Sequence, residues 1–271
     1  MTRLALTIYE LQEKLDHYRR DPLACPTTSM PIAEQLLCPI EKITHDSRRV
    51  SSGCLYIALA GRNPHGARFI PQAIEKGAVA IALPTDTPQE FIDQLSQSQN
   101  SMPVIWLSPE HQRIEMAYLA EWIYGSPMNN PPESRQGSAL SLIGITGTNG
   151  KTTTSTLLAD IMMLADGDVG LIGTIETRGG GIHRSSKMTT MESPDLHAHY
   201  RALLDAGVQR CVMEVSSIGI EESRVAASRY DRAAFLNLSE DHLDYHGGMQ
   251  CYADAKLRLF TGLLDPEALC I

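Results

Sequence analysis

Lys151 and Thr152 directly follow a short glycine-bearing run, Thr146-Gly147-Thr148-Asn149-Gly150, which is itself preceded by the apolar Leu142-Ile143-Gly144-Ile145. Strand, glycine-rich turn and helix start in that order wrap backbone N–H groups around nucleotide phosphates. Gly147 and Gly150 carry no Cβ, so backbone and phosphate can approach closely. Lys151 supplies a point charge for β/γ-phosphates, and Thr152 a hydroxyl for Mg²⁺. The general pattern G-x-x-x-x-G-K-[ST] is matched imperfectly, because Ile145 fills the first glycine's slot. The local form T-G-T-N-G-K-T is narrower. Residues Thr146, Gly147, Thr148, Asn149, Gly150, Lys151, Thr152 and Thr153 are therefore the candidate phosphate cradle.

Glu214 sits at the C-terminal end of the strand-like run 210–215, where a doubly wound sheet opens on its ligand crevice. A carboxylate there either holds Mg²⁺ near a terminal phosphate or sits in water. Ser216 either donates to a substrate carboxylate or caps a turn. Asp241, His242, Asp244 and His246 form a dense polar cluster after another apolar run. No cysteine stands at ligand spacing, so zinc is disfavoured, while Mg²⁺ prefers oxygen donors. The cluster reads either as a metal or catalytic site or as a capped helix start. Lys256, on the helix that follows, reads by itself as a solvated charge. Thr189 and Thr190 are loop hydroxyls, and Arg224 is a candidate partner for a carboxylate or phosphate. The polar loops around Ser47 and around Arg62 and Asn63 carry a weaker signal.

These residues need a scaffold. Strand-like runs at 54–59 and 78–83 flank a helical pattern at 67–76 with Gly77 at its end, which is a βαβ-like unit. Helices are expected at 7–19, 88–97 and 110–124, and a strand at 103–107. Residues 125–138 hold three prolines and two glycines and read as a linker. Beyond it the pattern predicts helices at 152–165, 193–206 and 249–259. Strands are predicted near 169–175, at 210–215 and at 232–238. The expected fold class is α/β: an N-terminal α/β domain at 1–124, then a doubly wound parallel-sheet domain at 139–271. The chain stops in an apparent opening strand, so the second domain is expected to be incomplete.

A net charge of −9 without a basic run argues against nucleic acid as partner. No apolar stretch reaches the ~20 residues of a membrane helix. The six cysteines include no C-x-x-C pair and suit a reducing compartment, so the expected location is cytoplasmic.

In order, the motifs T-G-T-N-G-K-T (146–152), T-T-M-E-S-P-D-L (189–196), M-E-V-S-S (213–217) and N-L-S-E-D-H-L-D-Y-H-G (237–247) resemble those of the Mur ligase family. That family consists of ATP-dependent amide-forming ligases of peptidoglycan assembly. With A-K-L-R-L-F at 255–260, the set is most similar to the members that add the third stem-peptide residue. The resemblance runs from about residue 43 to the end. It implies that Lys151 stabilises the transferring phosphoryl group and that Thr152 holds one Mg²⁺. It also implies that Glu214 and His242 hold a second, helped by a CO₂-derived carbamate on Lys256. Thr189, Thr190, Ser216, Glu222 and Arg224 would face UDP-N-acetylmuramoyl-L-Ala-D-Glu, with Ser47, Arg62 and Asn63 at its uridine end.

The implied reaction activates the D-glutamate carboxylate as an acyl phosphate with ATP. An amino acid, meso-diaminopimelate or L-lysine, then displaces phosphate. The implied state is a monomer. Departures are Ile218 where many members have His, Glu222 where Gln is frequent, and Met191 where Pro is common. The chain as written is expected not to turn over by itself. Two alternatives remain: a folylpolyglutamate-synthase-like ligase, and a non-catalytic module that retains nucleotide or UDP-sugar affinity.

Overall fold

The computed structural model describes residues 6–20, 39–61, 65–97, 102–128 and 139–271. The chain divides into two compact units, Met1–Gly125 and Ser126–Ile271. Of the expected linker, residues 129–138 lie outside the described residues, as do Arg62, Asn63, Cys25 and Cys38.

The first unit holds a four-stranded sheet, β1 (Lys42–Thr44), β2 (Cys54–Ile57), β3 (Ala78–Pro84) and β4 (Val104–Leu107), in that spatial order. Every pairing is parallel. Helix α1 (Ile8–Arg20) opens on a capping box: Glu10 N–H donates to Thr7 Oγ1 at 3.3 Å and Thr7 N–H to Glu10 Oε2 at 2.7 Å. Side chains alternate across the sheet. Leu55 and Ile57 face α1 and α4 (Gln112–Ile123), whereas Cys54 and Tyr56 face α2 (Ile70–Glu75) and α3 (Gln89–Gln97). The helix expected at 67–76 begins as a 3₁₀ turn, Gly66–Phe69. Pro71 stands in the first turn of α2, where its missing N–H costs nothing.

The second unit contains β5 (Ser141–Thr146), α5 (Lys151–Asp166), β6 (Gly170–Ile172), β7 (Glu176–Gly179) and β8 (Ile182–Ser185). It continues with α6 (Ser193–Asp205), β9 (Arg210–Glu214), α7 (Ser217–Glu221) and β10 (Tyr230–Phe235). The last elements are α8 (Leu243–His246), α9 (Met249–Gly262) and β11 (Leu264–Cys270). The sheet order is β11-β10-β5-β9-β6-β7-β8. One core lies beneath α6, α7 and α9 and takes Leu142, Ile172, Cys211 and Met213. The other lies beneath α5 and takes Ile143, Ile145, Leu171 and Val212.

The strand expected at 169–175 is shorter, and a hairpin absent from the sequence reading follows it. β7 runs antiparallel to β6, and β8 antiparallel to β7. Gly179, Gly180 and Gly181 turn the chain with φ of 120°, 60° and 77°, which side chains rarely allow. The strand expected at 232–238 starts and ends earlier, leaving Asn237 in a loop. Cys54 and Cys211 are buried, and Cys251 and Cys270 exposed; all four are free thiols.

Candidate phosphate and metal site

The C-terminal ends of β5, β9, β6 and β10 meet at one edge of the second sheet, because all four run parallel. After β5 the loop turns through Gly147 (φ 148°) and Gly150 (φ 85°) into α5. The first-turn amides of α5 have no intrahelical acceptor, so they point as donors into the crevice. A pocket of ≈ 340 Å³ there is lined by Thr148, Asn149, Gly150, Lys151, Thr152, Thr153, Thr174, Thr189 and Glu214.

Glu214 is fully buried at the end of β9. Its carboxylate accepts from Thr152 Oγ1 at 2.9 Å, from Thr174 N–H at 2.7 Å and from Thr174 Oγ1 at 3.0 Å. A buried carboxylate beside the loop hydroxyl is an oxygen donor set of the kind Mg²⁺ prefers. Thr174 escaped the sequence reading. Its signal was its place two residues past β6, at the same strand-end level as Glu214. Thr174 Oγ1 also bonds Thr189 Oγ1 at 3.0 Å.

Lys151 Nζ folds back onto the carbonyls of Gly147 (2.9 Å) and Thr148 (2.8 Å). Burial lowers its pKa, opposed by the charges of Glu214 and Asp241. Lys256 was read from sequence as a solvated charge and is instead buried, at 1% exposure. Its Nζ donates to the same Gly147 carbonyl at 2.8 Å and lies 4.5 Å from the Tyr252 ring centroid. Burial, reinforced by Lys151 and opposed by Asp241, pushes its pKa down to about 8. A buried amine kept partly neutral is the form that can react with CO₂, so the position fits a carbamate.

His242 takes a left-handed backbone (φ 51°) ahead of α8, with a half-exposed side chain beside the Tyr252 ring. Among the described residues no set of three His, Cys, Asp or Glu side chains is close enough to share an ion.

The other expected substrate residues form their own network. Thr190 Oγ1 bonds Ser216 Oγ at 3.0 Å and the Glu214 carbonyl at 3.2 Å, and Ser216 caps α7 at Gly219 N–H. Arg224 pairs with Glu192 at 3.0 Å and Glu222 at 2.9 Å, and donates to the Thr190 carbonyl at 3.1 Å. An anion arriving at Arg224 therefore competes with two resident carboxylates. In the first unit Ser47 is buried and donates to Gln72 Oε1 at 2.6 Å. The uridine-end expectation for Arg62 and Asn63 lies outside the described residues.

Residues 39–106 match the Mur ligase family catalytic domain, and residues 145–271 the Mur ligase middle domain. Over 251 residues the chain is 38% identical to the UDP-N-acetylmuramoyl-L-alanyl-D-glutamate--2,6-diaminopimelate ligase of Geobacter sulfurreducens, covering 93% of this chain and 45% of that protein. It is 40% identical over 240 residues to the ligase of the same name from Listeria monocytogenes, covering 89% of this chain and 44% of that protein. A solved structure of a UDP-N-acetylmuramoyl-L-alanyl-D-glutamate--2,6-diaminopimelate ligase superposes with a TM-score of 0.68 at 25% identity, over 97% of this chain and 46% of that one. The MurF ligase of Thermotoga maritima in complex with ADP shares the fold, with a TM-score of 0.54 at 19% identity over 88% of this chain and 46% of that one. The chain spans about half the length of the curated relatives it matches.

Proposed function

The chain belongs to the Mur ligase family, and on that premise we propose that it carries the nucleotide- and substrate-activating part of an ATP-dependent amide ligase. The substrate class is a UDP-N-acetylmuramoyl-dipeptide, whose D-glutamate carboxylate is activated and then joined to diaminopimelate. The observation that carries this reading is the 2.9 Å contact between Thr152 Oγ1 and buried Glu214 Oε2 at the mouth of the phosphate loop.

In this reading the N–H groups at the start of α5 bind and orient the phosphate chain. Lys151 leaves the carbonyls of Gly147 and Thr148 to meet the terminal phosphate. Thr152 would hold one Mg²⁺, and Glu214 and His242, helped by a carbamate on Lys256, would hold a second. The ions when bound would offset charge repulsion between carboxylate and triphosphate. Thr189, Thr190, Ser216, Glu222 and Arg224 would face the dipeptide end, and Ser47 with Arg62 and Asn63 the uridine end. The domain limits 1–124 and 139–271, the cytoplasmic location and the monomeric state belong to the same proposal. Among the described residues no helix is long and apolar enough to cross a membrane.

The test is calorimetric titration of the chain with ADP and Mg²⁺. Binding is expected, weakened about 10- to 100-fold by Lys151→Ala, since a charged contact to phosphate contributes about 1.5–3 kcal/mol. No binding by the unaltered chain, or equal binding by the variant, overturns the phosphate-site reading.

A further inference from the structure

Tyr252 is not among the residues that the motifs or the pocket single out, yet it meets the phosphate loop once directly and once through Lys256. It lies on α9, four residues before Lys256, so the two side chains share a face. The side chain is buried at 1% exposure. Its hydroxyl donates to Thr148 Oγ1 at 3.1 Å. Its ring lies 4.5 Å from Lys256 Nζ, which in turn donates to the Gly147 carbonyl at 2.8 Å. Both contacts end on adjacent loop residues.

Thr148 makes this a closed arrangement. A threonine hydroxyl has one donor and two acceptor positions. Thr148 Oγ1 donates to the Ser239 carbonyl at 3.1 Å and accepts from Ser239 N–H at 3.0 Å and from Tyr252 Oη. Its capacity is full. The Thr148 N–H is also committed, to the Asn237 carbonyl at 3.0 Å, and Asn149 N–H to Asn237 Oδ1 at 2.9 Å. Thr148 therefore lines the pocket with no hydrogen-bonding group left for a phosphate. Its groups hold the loop to the segment after β10 and to α9. His246 extends the tie, with its ring 5.2 Å from that of Tyr252 and its Nε2 3.0 Å from Ser217 Oγ at the start of α7.

We propose that Tyr252 is a positioning residue of the phosphate loop: it ties Thr148 to α9 and packs its ring against Lys256, which bonds Gly147, and so holds the loop in its anion-binding shape before a ligand arrives. Preformed donors bind without the cost of ordering them. The effect on nucleotide affinity rests on the phosphate-site reading above, whereas the clamp itself does not.

Two readouts separate them. Amide hydrogen exchange at Thr148 and Ser239 follows the loop without any ligand, and titration with ADP and Mg²⁺ follows binding. Tyr252→Phe keeps the ring and removes only the hydroxyl, so it tests the bond without emptying the core. Loss of one hydrogen bond, about 1 kcal/mol, is expected to speed both amides and weaken ADP binding by about fivefold. In a Thr148→Val background the same change is expected to do nothing further, because its partner is already gone. A tyrosine that only packs would leave Tyr252→Phe equal to the unaltered chain, and that result overturns the proposal. An equal effect of Tyr252→Phe with and without Thr148→Val overturns it too. Faster exchange in a chain that takes no ADP upholds the clamp and sinks the nucleotide reading instead.

Discussion

Lys256 and His197 have opposite solutions to the same problem, an ionisable group out of water. Lys256 keeps a carbonyl and an aromatic face as company. His197 is fully buried, and neither ring nitrogen has a hydrogen-bond partner. Burial pushes its pKa down to about 3. Between that value and the ordinary pKa near 6.5 the unfolded chain holds a proton that the folded chain does not. Its contribution is therefore neutral above pH 6.5, and stability is lost as the pH falls below it. Going from pH 7 to pH 5, His197 alone is expected to remove about 2 kcal/mol. His199 adds in the same direction, through burial and then Arg184. Urea unfolding at the two pH values should show a smaller acid loss for His197→Gln, with His199 still contributing. Equal losses would mean that His197 is protonated in the folded state. The carboxylates were easier to place. Glu214 was legible because it sits at the C-terminal end of a strand-like run. The burial of Lys256 was not, since its near neighbours Asp254 and Arg258 look like a solvated helix face.

At the scale of elements, the strand–loop–helix from β5 to α5 was readable because local chemistry dictates it. The apolar run, the glycines and the lysine are contiguous. Gly147 illustrates the constraint. Its φ is 148°, and an added Cβ would sit 3.1 Å from Leu236 Cβ and 3.3 Å from Asn237 N. Gly147→Ala is expected to cost about 1–2 kcal/mol in an unfolding titration. It should also reduce ADP binding, because the loop must shift away from the segment after β10. Unchanged stability and binding would show that the turn tolerates a side chain. The β7–β8 hairpin was not readable. Its strands, E-T-R-G and I-H-R-S, are short and polar, and only pairing against β6 makes them strands.

Across the second unit the two faces of the sheet are unequally covered. The face beneath α6, α7 and α9 carries the larger core, and the other is covered by α5. On α5, Leu157, Ile161 and Leu164 are 56%, 62% and 87% exposed and follow one another at helical spacing. Beside them a groove is lined by Ile143, Ile145, Leu158, Met162, Leu269 and Ile271. Replacing Leu157, Ile161 and Leu164 together by Gln is expected to leave the melting temperature nearly unchanged, since exposed positions shift stability by within about 0.5 kcal/mol each. The same replacement should lower binding of an apolar dye. A large drop in melting temperature would show that the stripe is buried in solution. The α/β class, the glycine-rich strand–loop–helix, the strand-end place of Glu214 and the family were legible from residues 1–271 read as a string, because each is encoded in contiguous residues whose types dictate local geometry. That Thr174 joins Glu214, that Arg224 is already paired with Glu192 and Glu222, and that Tyr252 meets Thr148 104 residues away emerged with the folded chain. Those contacts depend on which strand ends lie side by side, and strand order is set by the packing of the whole sheet.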